Sequence, residues 1–494
     1  MKRLCLNLGW FLVVNLFYAL AALVGWPVYL FFLLTRRKYR SRCWERWGFV
    51  PVLPERREPG TGNREPGRTR RLQRRERGPG TREPGKKKET KKEAPSTGAG
   101  KRLWVHAISV GEVEAARTFL PALAEAFPDH PIVLSTTTMT GRERAMKLFP
   151  GTPVFHFPLD FWPCVALALR RVGPAAFIQV ESEWWPNFFL MAARQGIPVA
   201  CVNVRITEKG HRGYGRIRPL MRAVFNSTRA IGVQAEVYRE RFLSLGADPQ
   251  RLHVTGQMKH DTVTFADAVA GADDLAREMG LAPDETVLVA GSTGPGEEET
   301  LLAAYHEARR SQPHLRLVLV PRRPESFAAA AEAILRAGFG LVRRSKPAER
   351  QGPQDAPPVL LGDTMGEMMK WYGRADLVFV GRSLVPLGGS NPMEPGALGR
   401  PLLWGPHMFN FPIEAPALVE AGAAREVRDA ASLAAAILDL LTHAEKRRQM
   451  GEAARATIRG MQGATARNIE LVRSVLSDQQ PDSTGRGGSP DPPR

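Results

Sequence analysis

"LVFVGRSLVPLGGSNPMEPGALGRP", residues 377–401, runs from an apolar strand through a glycine-rich loop into a helix. Leu377–Val380 has the length and β-branched content of a buried strand. Gly381, Gly388 and Gly389 mark the loop, and Asn391 and Glu394 stand one helical turn apart, each followed by a proline, Pro392 and Pro395. The start of a helix presents unpaired backbone N–H groups that attract anions. A carboxylate one turn in can accept hydrogen bonds from the hydroxyls of a ribose. The competing reading makes each glycine and proline a turn former and Glu394 a helix cap.

The same strand–loop–helix pattern extends outward in both directions. "LWVHAIS", "PIVLSTTT", "TPVFHFP", "AAFIQVES", "PVACVNVR" and "RLHVTG" form one series of short apolar runs, ending near residue 256. "TVLVAGST", "LRLVLVPR", "PVLLGDT", "LVFVGRS" and "PLLWGP" form a second, beginning at 286. Stretches with helical spacing, such as "EVEAARTFLPALAEAF", lie between them. Continuous apolar strands alternating with helices argue for parallel sheets covered on both faces. The expected fold class is α/β, with two doubly wound, Rossmann-like domains over 101–270 and 271–475. Ligands of such sheets bind beyond the carboxyl ends of the strands, so the site is expected in a cleft between the domains.

Polar motifs fall at those strand ends. In the second half, "VPRRPESF" sets Arg322 where a guanidinium can hold a phosphate in bidentate fashion. "DTMGEMMKWY" repeats the loop-to-helix geometry. Three such motifs in one half favour a nucleotide site over isolated turns and caps. In the first half, Gly111 and Glu112 of "WVHAISVGEVEAA" open a helix directly after a strand. Glu112 reads either as a cap favoured by the helix dipole or as a general base. "VESEWWPN" places Glu181 and Glu183 similarly, and Lys259 of "VTGQMKHD" is suited to neutralising developing negative charge.

The formal charge of +19 over 494 residues raises the question of nucleic acid. Its distribution answers it. Residues 1–53 hold eight Lys/Arg against one acidic residue, and 54–100 hold fifteen against seven. The remainder carries 46 against 42, close to neutral, so no nucleic-acid partner is expected. Leu4–Leu34 contains no charged residue, is long enough to cross a bilayer, and ends in the basic "TRRKYRSRCWERW". This reads as an uncleaved membrane-anchor helix over 1–35 with a basic juxtamembrane segment over 36–53, leaving the rest in the cytoplasm. A cleaved signal peptide or an interfacial segment kinked at Pro27 are the competing readings. Residues 54–100, with "REPG" three times and Leu72 as the one large aliphatic residue, read as a disordered basic linker. Residues 476–494 read as a disordered tail. Cys5, Cys43, Cys164 and Cys201 have neither disulfide-framework nor zinc-ligand spacing.

"HAISVGEVEAA", "ESEWWPN", "VNVRITEKG", "VTGQMKHD", "GSTGPGEEE", "VPRRPESF", "DTMGEMMKWYGRADLVFVG" and "GGSNPMEPGALGRPLLWGPHMFNF" occur in this order. Together they resemble the Kdo transferase family, glycosyltransferase family 30, which moves 3-deoxy-D-manno-octulosonic acid (Kdo) from CMP-Kdo to lipid A precursors. The resemblance runs from the anchor to about residue 475, apart from the 54–100 insert. It implies a GT-B fold, inversion at the anomeric carbon, the lipid A precursor lipid IVA as acceptor, and a place in lipopolysaccharide biosynthesis at the inner membrane. It also implies no cofactor and no metal. By motif, Glu112 matches the family's general base, and Glu183 and Lys259 match residues thought to stabilise the transition state. Pro321 and Arg322, Gly366, Glu367 and Met368, and Asn391, Pro392, Met393 and Glu394 match CMP contacts. On this reading the glycines before Asn391 let the backbone approach the nucleotide.

The chain departs from the family's usual residues at four places in the second half. Gly294, Arg323 and Ser390 stand where histidine is usual, and Arg382 stands where a second glycine is usual. These departures keep open an alternative, a membrane-associated GT-B transferase using a different nucleotide sugar. A non-catalytic membrane-tethered binder would be expected to lose its acid, base and cation positions, and Glu112, Glu183 and Lys259 are all present.

Overall fold

The computed structural model describes residues 15–16, 43–51 and 102–477. Two sheets are built from the apolar runs. In the first half these are β1 (Arg102–His106), β2 (Ile132–Thr136), β3 (Val154–His156), β4 (Pro174–Val180), β5 (Val199–Val204), β6 (Ala230–Val233) and β7 (Leu252–Val254). They form a seven-stranded sheet in the order β3-β2-β1-β4-β5-β6-β7, parallel throughout. The second half contributes β8 (Thr286–Thr293), β9 (Leu315–Pro321), β10 (Leu341–Arg343), β11 (Lys346–Gln351), β12 (Val359–Leu361), β13 (Leu377–Val380), β14 (Leu402–Trp404) and β15 (Ala424–Glu426). Their order is β11-β10-β12-β9-β8-β13-β14-β15, with only the β10–β11 hairpin antiparallel.

Alternation along each central strand feeds two cores. Leu103 and Val105 of β1 point to one face of their sheet while Trp104 points to the other, where it meets Phe155, Phe177 and Phe188. Val287 and Val289 of β8 likewise face away from Leu288 and Ala290. This is the period of two expected of a pleated strand, with both faces covered by helices. Trp104 is fully buried and its indole N–H donates to Ser135 Oγ at 2.8 Å, so its burial leaves no polar atom unmatched. Truncation to alanine there would cost on the order of 3–5 kcal/mol.

Three features depart from the division read from the sequence. Residues 43–51, expected as a basic flank, are built into the first core. Val50 is buried, the His156 N–H donates to Glu45 at 2.8 Å, and the Arg46 carbonyl accepts from Leu159 N–H at 2.7 Å. The final helix, Ala464–Ser477, was assigned by position to the second domain but packs Ala464, Val472 and Val475 into the core of the first. Asp261 fixes the return by accepting from the N–H groups of Gly463 at 2.7 Å and Thr465 at 2.5 Å. That helix also carries Leu476 and Ser477, placed in the tail by the sequence reading.

The anchor over 1–35, the linker over 54–100 and the tail beyond Ser477 lie outside the described residues, apart from Asn15 and Leu16. Asn15 Nδ2 donates to Asn187 Oδ1, the asparagine of the "WWPN" motif of the first half, at 2.8 Å. Among the described residues no helix is long and apolar enough to cross a membrane.

Candidate active site

The carboxyl ends of the two sheets face a cleft of about 710 Å³ lined from both halves. Lys259 and Arg205 come from the first half, and Asn391, Met393 and Glu394 from the second. Each is held by local geometry that the sequence prepares. β13 delivers the chain into the loop 381–392, and a short helix, Met393–Ala397, follows. Asn391 Oδ1 accepts from Met393 N–H at 3.0 Å, a side-chain turn that starts this helix, and Asn391 Nδ2 donates to Glu394 Oε1 at 3.1 Å. Burial is the largest influence on Glu394 and raises its pKa. The bond from Asn391 and the charge of Arg322 oppose that rise.

The glycines of this loop make room for the protein's own side chains. Gly388 and Gly389 have φ of 88° and 77°, conformations that favour glycine. A Cβ at Gly388 would lie 2.3 Å from Asn410 Nδ2, and one at Gly389 would lie 2.3 Å from Met408 Sδ. The space they leave is therefore occupied by neighbouring side chains of the protein. Glu367 is held by the protein's own groups. Its carboxylate is bound by Arg344 at 2.9 and 3.1 Å, by Thr364 Oγ1 at 2.6 Å and by Lys370 at 3.3 Å. Led by the Arg344 bonds, these partners hold its pKa down to about 2. What remains for a ligand at Gly366–Met368 is backbone, and Gly366, at φ 90° and exposed, leaves that backbone open.

In the first half Glu114 is bound by Arg117 and Arg144, whereas Glu112, Glu181 and Glu183 are less well partnered. Glu112 lies in the first turn of the helix Val110–Ala115, where its Oε2 accepts from the Ser109 N–H at 3.0 Å and from the Ser109 hydroxyl. This is a capping box. Burial raises the pKa of Glu183, and repulsion from Glu112 adds to the rise. Burial also raises Glu181, opposed by Arg205 and Lys259 and reinforced by Glu112. Glu112, Glu181, Glu183 and Lys259 therefore share one electrostatic neighbourhood. Carboxyl groups displaced upward at a cleft beside a cation are a mark of functional sites. His106, close by in sequence, is the contrast. It is fully buried, stacked on Phe157 at 4.0 Å, and burial lowers its pKa to about 3, so it is a neutral core residue.

Several residues with no role in the sequence reading hold this arrangement. Asn203 is buried with φ 57°, and its Oδ1 accepts the N–H of Met258 at 3.0 Å, which positions the turn carrying Lys259. Glu181, at φ 64°, lies at the end of the adjacent strand, and the two strained residues mark the carboxyl edge of the sheet. Glu297 is fully buried and accepts four backbone N–H groups: Gly294 at 2.8 Å, Arg382 at 2.5 Å, Ser383 at 2.8 Å and Leu384 at 2.9 Å. It ties the β8 turn to the loop after β13. His260 and Glu414 pair across the halves at 2.7 Å. Burial pushes Glu414 up, but the bond from His260 and backbone N–H groups outweigh it and leave it below the usual carboxylate value. Their motifs were visible in the sequence; their partners, up to 154 residues away, were not.

Comparison with known proteins agrees with the architecture and the motifs. The family described as "3-Deoxy-D-manno-octulosonic-acid transferase (kdotransferase)" matches residues 70–262. The 3-deoxy-D-manno-octulosonic acid transferase of Haemophilus influenzae is 34% identical over 377 residues, 76% of this chain and 87% of that protein. The C-terminal CMP-Kdo binding domain of WaaA from Acinetobacter baumannii is 30% identical, with 38% of this chain and 96% of that domain covered and a TM-score of 0.35. A glycosyltransferase from Rickettsia africae is 12% identical, with 77% of this chain and 100% of that one covered at a TM-score of 0.50, a likeness of fold alone. The chain belongs to the 3-deoxy-D-manno-octulosonic acid (Kdo) transferase family of glycosyltransferases.

Proposed function

We propose that this protein transfers Kdo from CMP-Kdo to a lipid A precursor, lipid IVA, with inversion at the anomeric carbon, at the cytoplasmic side of the inner membrane. The observation that carries the reading is the single cleft shared by Lys259 of the first half and Asn391 to Glu394 of the second. A donor held by the second half would present its anomeric carbon to an acceptor held by the first. The acceptor hydroxyl oxygen forms the new bond as the bond from the anomeric carbon to the CMP phosphate breaks. The hydroxyl proton passes to Glu112, and the departing phosphate keeps the electron pair.

The residues suit these roles chemically. One oxygen of Glu112 is engaged by Ser109, and among the described residues the other has no hydrogen-bond partner. The cap aims the side chain while leaving an oxygen to take the proton. Glu183 is near enough to Glu112 to feel its charge, and Lys259 acts on the neighbouring Glu181; there Lys259 balances negative charge developing on the phosphate. On the donor side, Arg322 and the backbone at Pro321 contact the phosphate. Asn391, Pro392, Met393 and Glu394 hold the ribose, and the Gly366–Glu367–Met368 backbone holds the base. The apolar segment before residue 35 would keep the enzyme on the membrane that contains its acceptor.

The test is mass spectrometry of the product formed from CMP-Kdo and tetraacylated lipid A precursor by the full-length protein. A product heavier by one or more Kdo units is expected. A protein that binds CMP but forms no such product would point to the alternative, a transferase using another nucleotide sugar.

A further inference from the structure

Three of the four positions at which the chain departs from its family's usual residues line one pocket. Gly294, Arg323 and Arg382 surround a cavity of about 590 Å³ together with Arg322, Pro295 and Leu387. The fourth, Ser390, is buried nearby, and its hydroxyl donates to the carbonyl of Ser292 at 3.2 Å, two residues before Gly294.

Gly294 and Arg382 are sterically complementary. A Cβ on Gly294 would lie 3.1 Å from Arg382 Cγ and 2.8 Å from Leu387 Cδ1. The absence of a side chain at 294 is what leaves room for the stem of Arg382. Arg382 also has φ 62°, a conformation that glycine adopts freely and arginine does not. The buried carboxylate of Glu297, accepting the Arg382 N–H, holds the backbone there against that preference. A strained arginine whose place is kept by two neighbours is a candidate for a functional role.

The three guanidinium groups repel one another. Arg382 Nη2 donates to the carbonyl of Leu387 at 3.1 Å. Among the described residues no carboxylate lies within 4.0 Å of the Arg322, Arg323 or Arg382 side chains. Burial first, and then Arg322 and Arg323, lower the pKa of Arg382. Glu325 also lines the pocket, leaving an excess of positive charge. Such a cavity calls for an anion, and the volume suits a single sugar rather than a lipid.

We propose that this pocket is the subsite for the carboxylate of the transferred sugar acid, with Arg382 and Arg323 as its specificity-determining residues. The inference rests on the reading of the donor as CMP-Kdo. Arg322 joins the two subsites, since its charge acts both on Arg382 and on Glu394 of the nucleotide site. The nucleotide and the sugar carboxylate are then recognised by separate groups within one half.

The experiment measures kcat/KM for CMP-Kdo and, separately, CMP affinity by calorimetry, in the full-length protein and in its Arg382→Gln, Arg382→Lys and Arg323→Gln variants. Loss of a charged hydrogen bond predicts a fall in kcat/KM of about ten- to a hundredfold for Arg382→Gln, mainly through KM. Arg382→Lys should recover part of it, and CMP affinity, which also reports correct folding, should be nearly unchanged. Equal losses of CMP affinity and of kcat/KM would place these arginines on the phosphate and overturn the proposal. So would an unchanged kcat/KM in both glutamine variants, leaving the pocket able to take an adventitious ion only. A wild-type protein that binds CMP but does not turn over CMP-Kdo would instead remove the donor reading, and the proposed occupant with it.

Discussion

Two groups of acidic residues, one in each half, are treated in opposite ways. In the second half, Glu367 is tied by Arg344, Thr364 and Lys370, and Glu297 accepts four backbone N–H groups. In the first half, burial raises Glu181 and Glu183, which stand near Glu112, and among the described residues Arg205, 3.9 Å from Glu181, is the one cation within 4.0 Å of either. A carboxylate saturated with donors organises backbone and has no oxygen left for chemistry. A carboxylate left short of donors near a cleft retains its capacity to accept a proton. The difference separates acids that organise the backbone from acids that keep the capacity to accept a proton.

Replacing Glu112 with glutamine puts that contrast to its strongest test. Glutamine preserves the accepting oxygen that caps the helix and removes the basic one. Turnover should fall by about 10²–10⁴-fold while CMP affinity and thermal stability stay close to wild type. A folded variant with near-normal turnover would reduce Glu112 to a cap and transfer the base role to Glu183.

Glu297→Ala examines the opposite class. Four backbone N–H groups would lose their acceptor in a buried setting, so unfolding free energy should fall by about 3 kcal/mol or more. Chemical denaturation measures this, and an unchanged midpoint would mean that the loop after β13 finds other partners. The Glu394→Ala variant falls between the two classes, because Glu394 is half-buried and has a single side-chain partner in Asn391. Its expected effect is a loss of about 1–3 kcal/mol in CMP binding. Calorimetry with unchanged affinity in a folded variant would remove Glu394 from the site.

The smallest effect is expected from Glu367→Gln. The wild-type carboxyl group is held down to about 2 from an ordinary 4.5, so its contribution to stability is complete above about pH 4.5 and fades as pH falls towards 2. The gap in melting temperature between wild type and variant should thus be present at neutral pH and close in acid. Its size should correspond to about 1 kcal/mol or less, because water screens a pair near the surface. A gap that persists unchanged at pH 2 would show that the role of Glu367 is steric.

The strands legible in the sequence were those whose apolar runs are buried on both faces, such as β4, β8, β9 and β13. β11, "KPAERQ", was not, because it is an exposed edge strand whose residues carry no hydrophobic pattern. β6, "AIGV", was missed because Ala230 and Gly232 leave only Ile231 and Val233 as large apolar residues, too few to stand out as a run. At the site, Asn391 and Glu394 were correctly seen as neighbours because one helical turn brings them together. Gly388 and Gly389 were read as glycines that let the backbone approach a ligand, but a glycine announces only that space is needed and not what fills it.

The sequence by itself determined the alternation of strand and helix, the two-sheet architecture, and the motifs that mark the family. These depend on local apolar periodicity and on residue types at fixed short spacing, which a linear chain displays directly. Tertiary structure alone decided that Ala464–Ser477 returns to the first half and that residues 43–51 join its core. It also decided that Glu297 clamps a loop 85 residues away and that Gly294 makes room for Arg382. Such contacts follow from which buried polar groups find partners and which side chains compete for one volume, and both are settled only when distant segments close on each other.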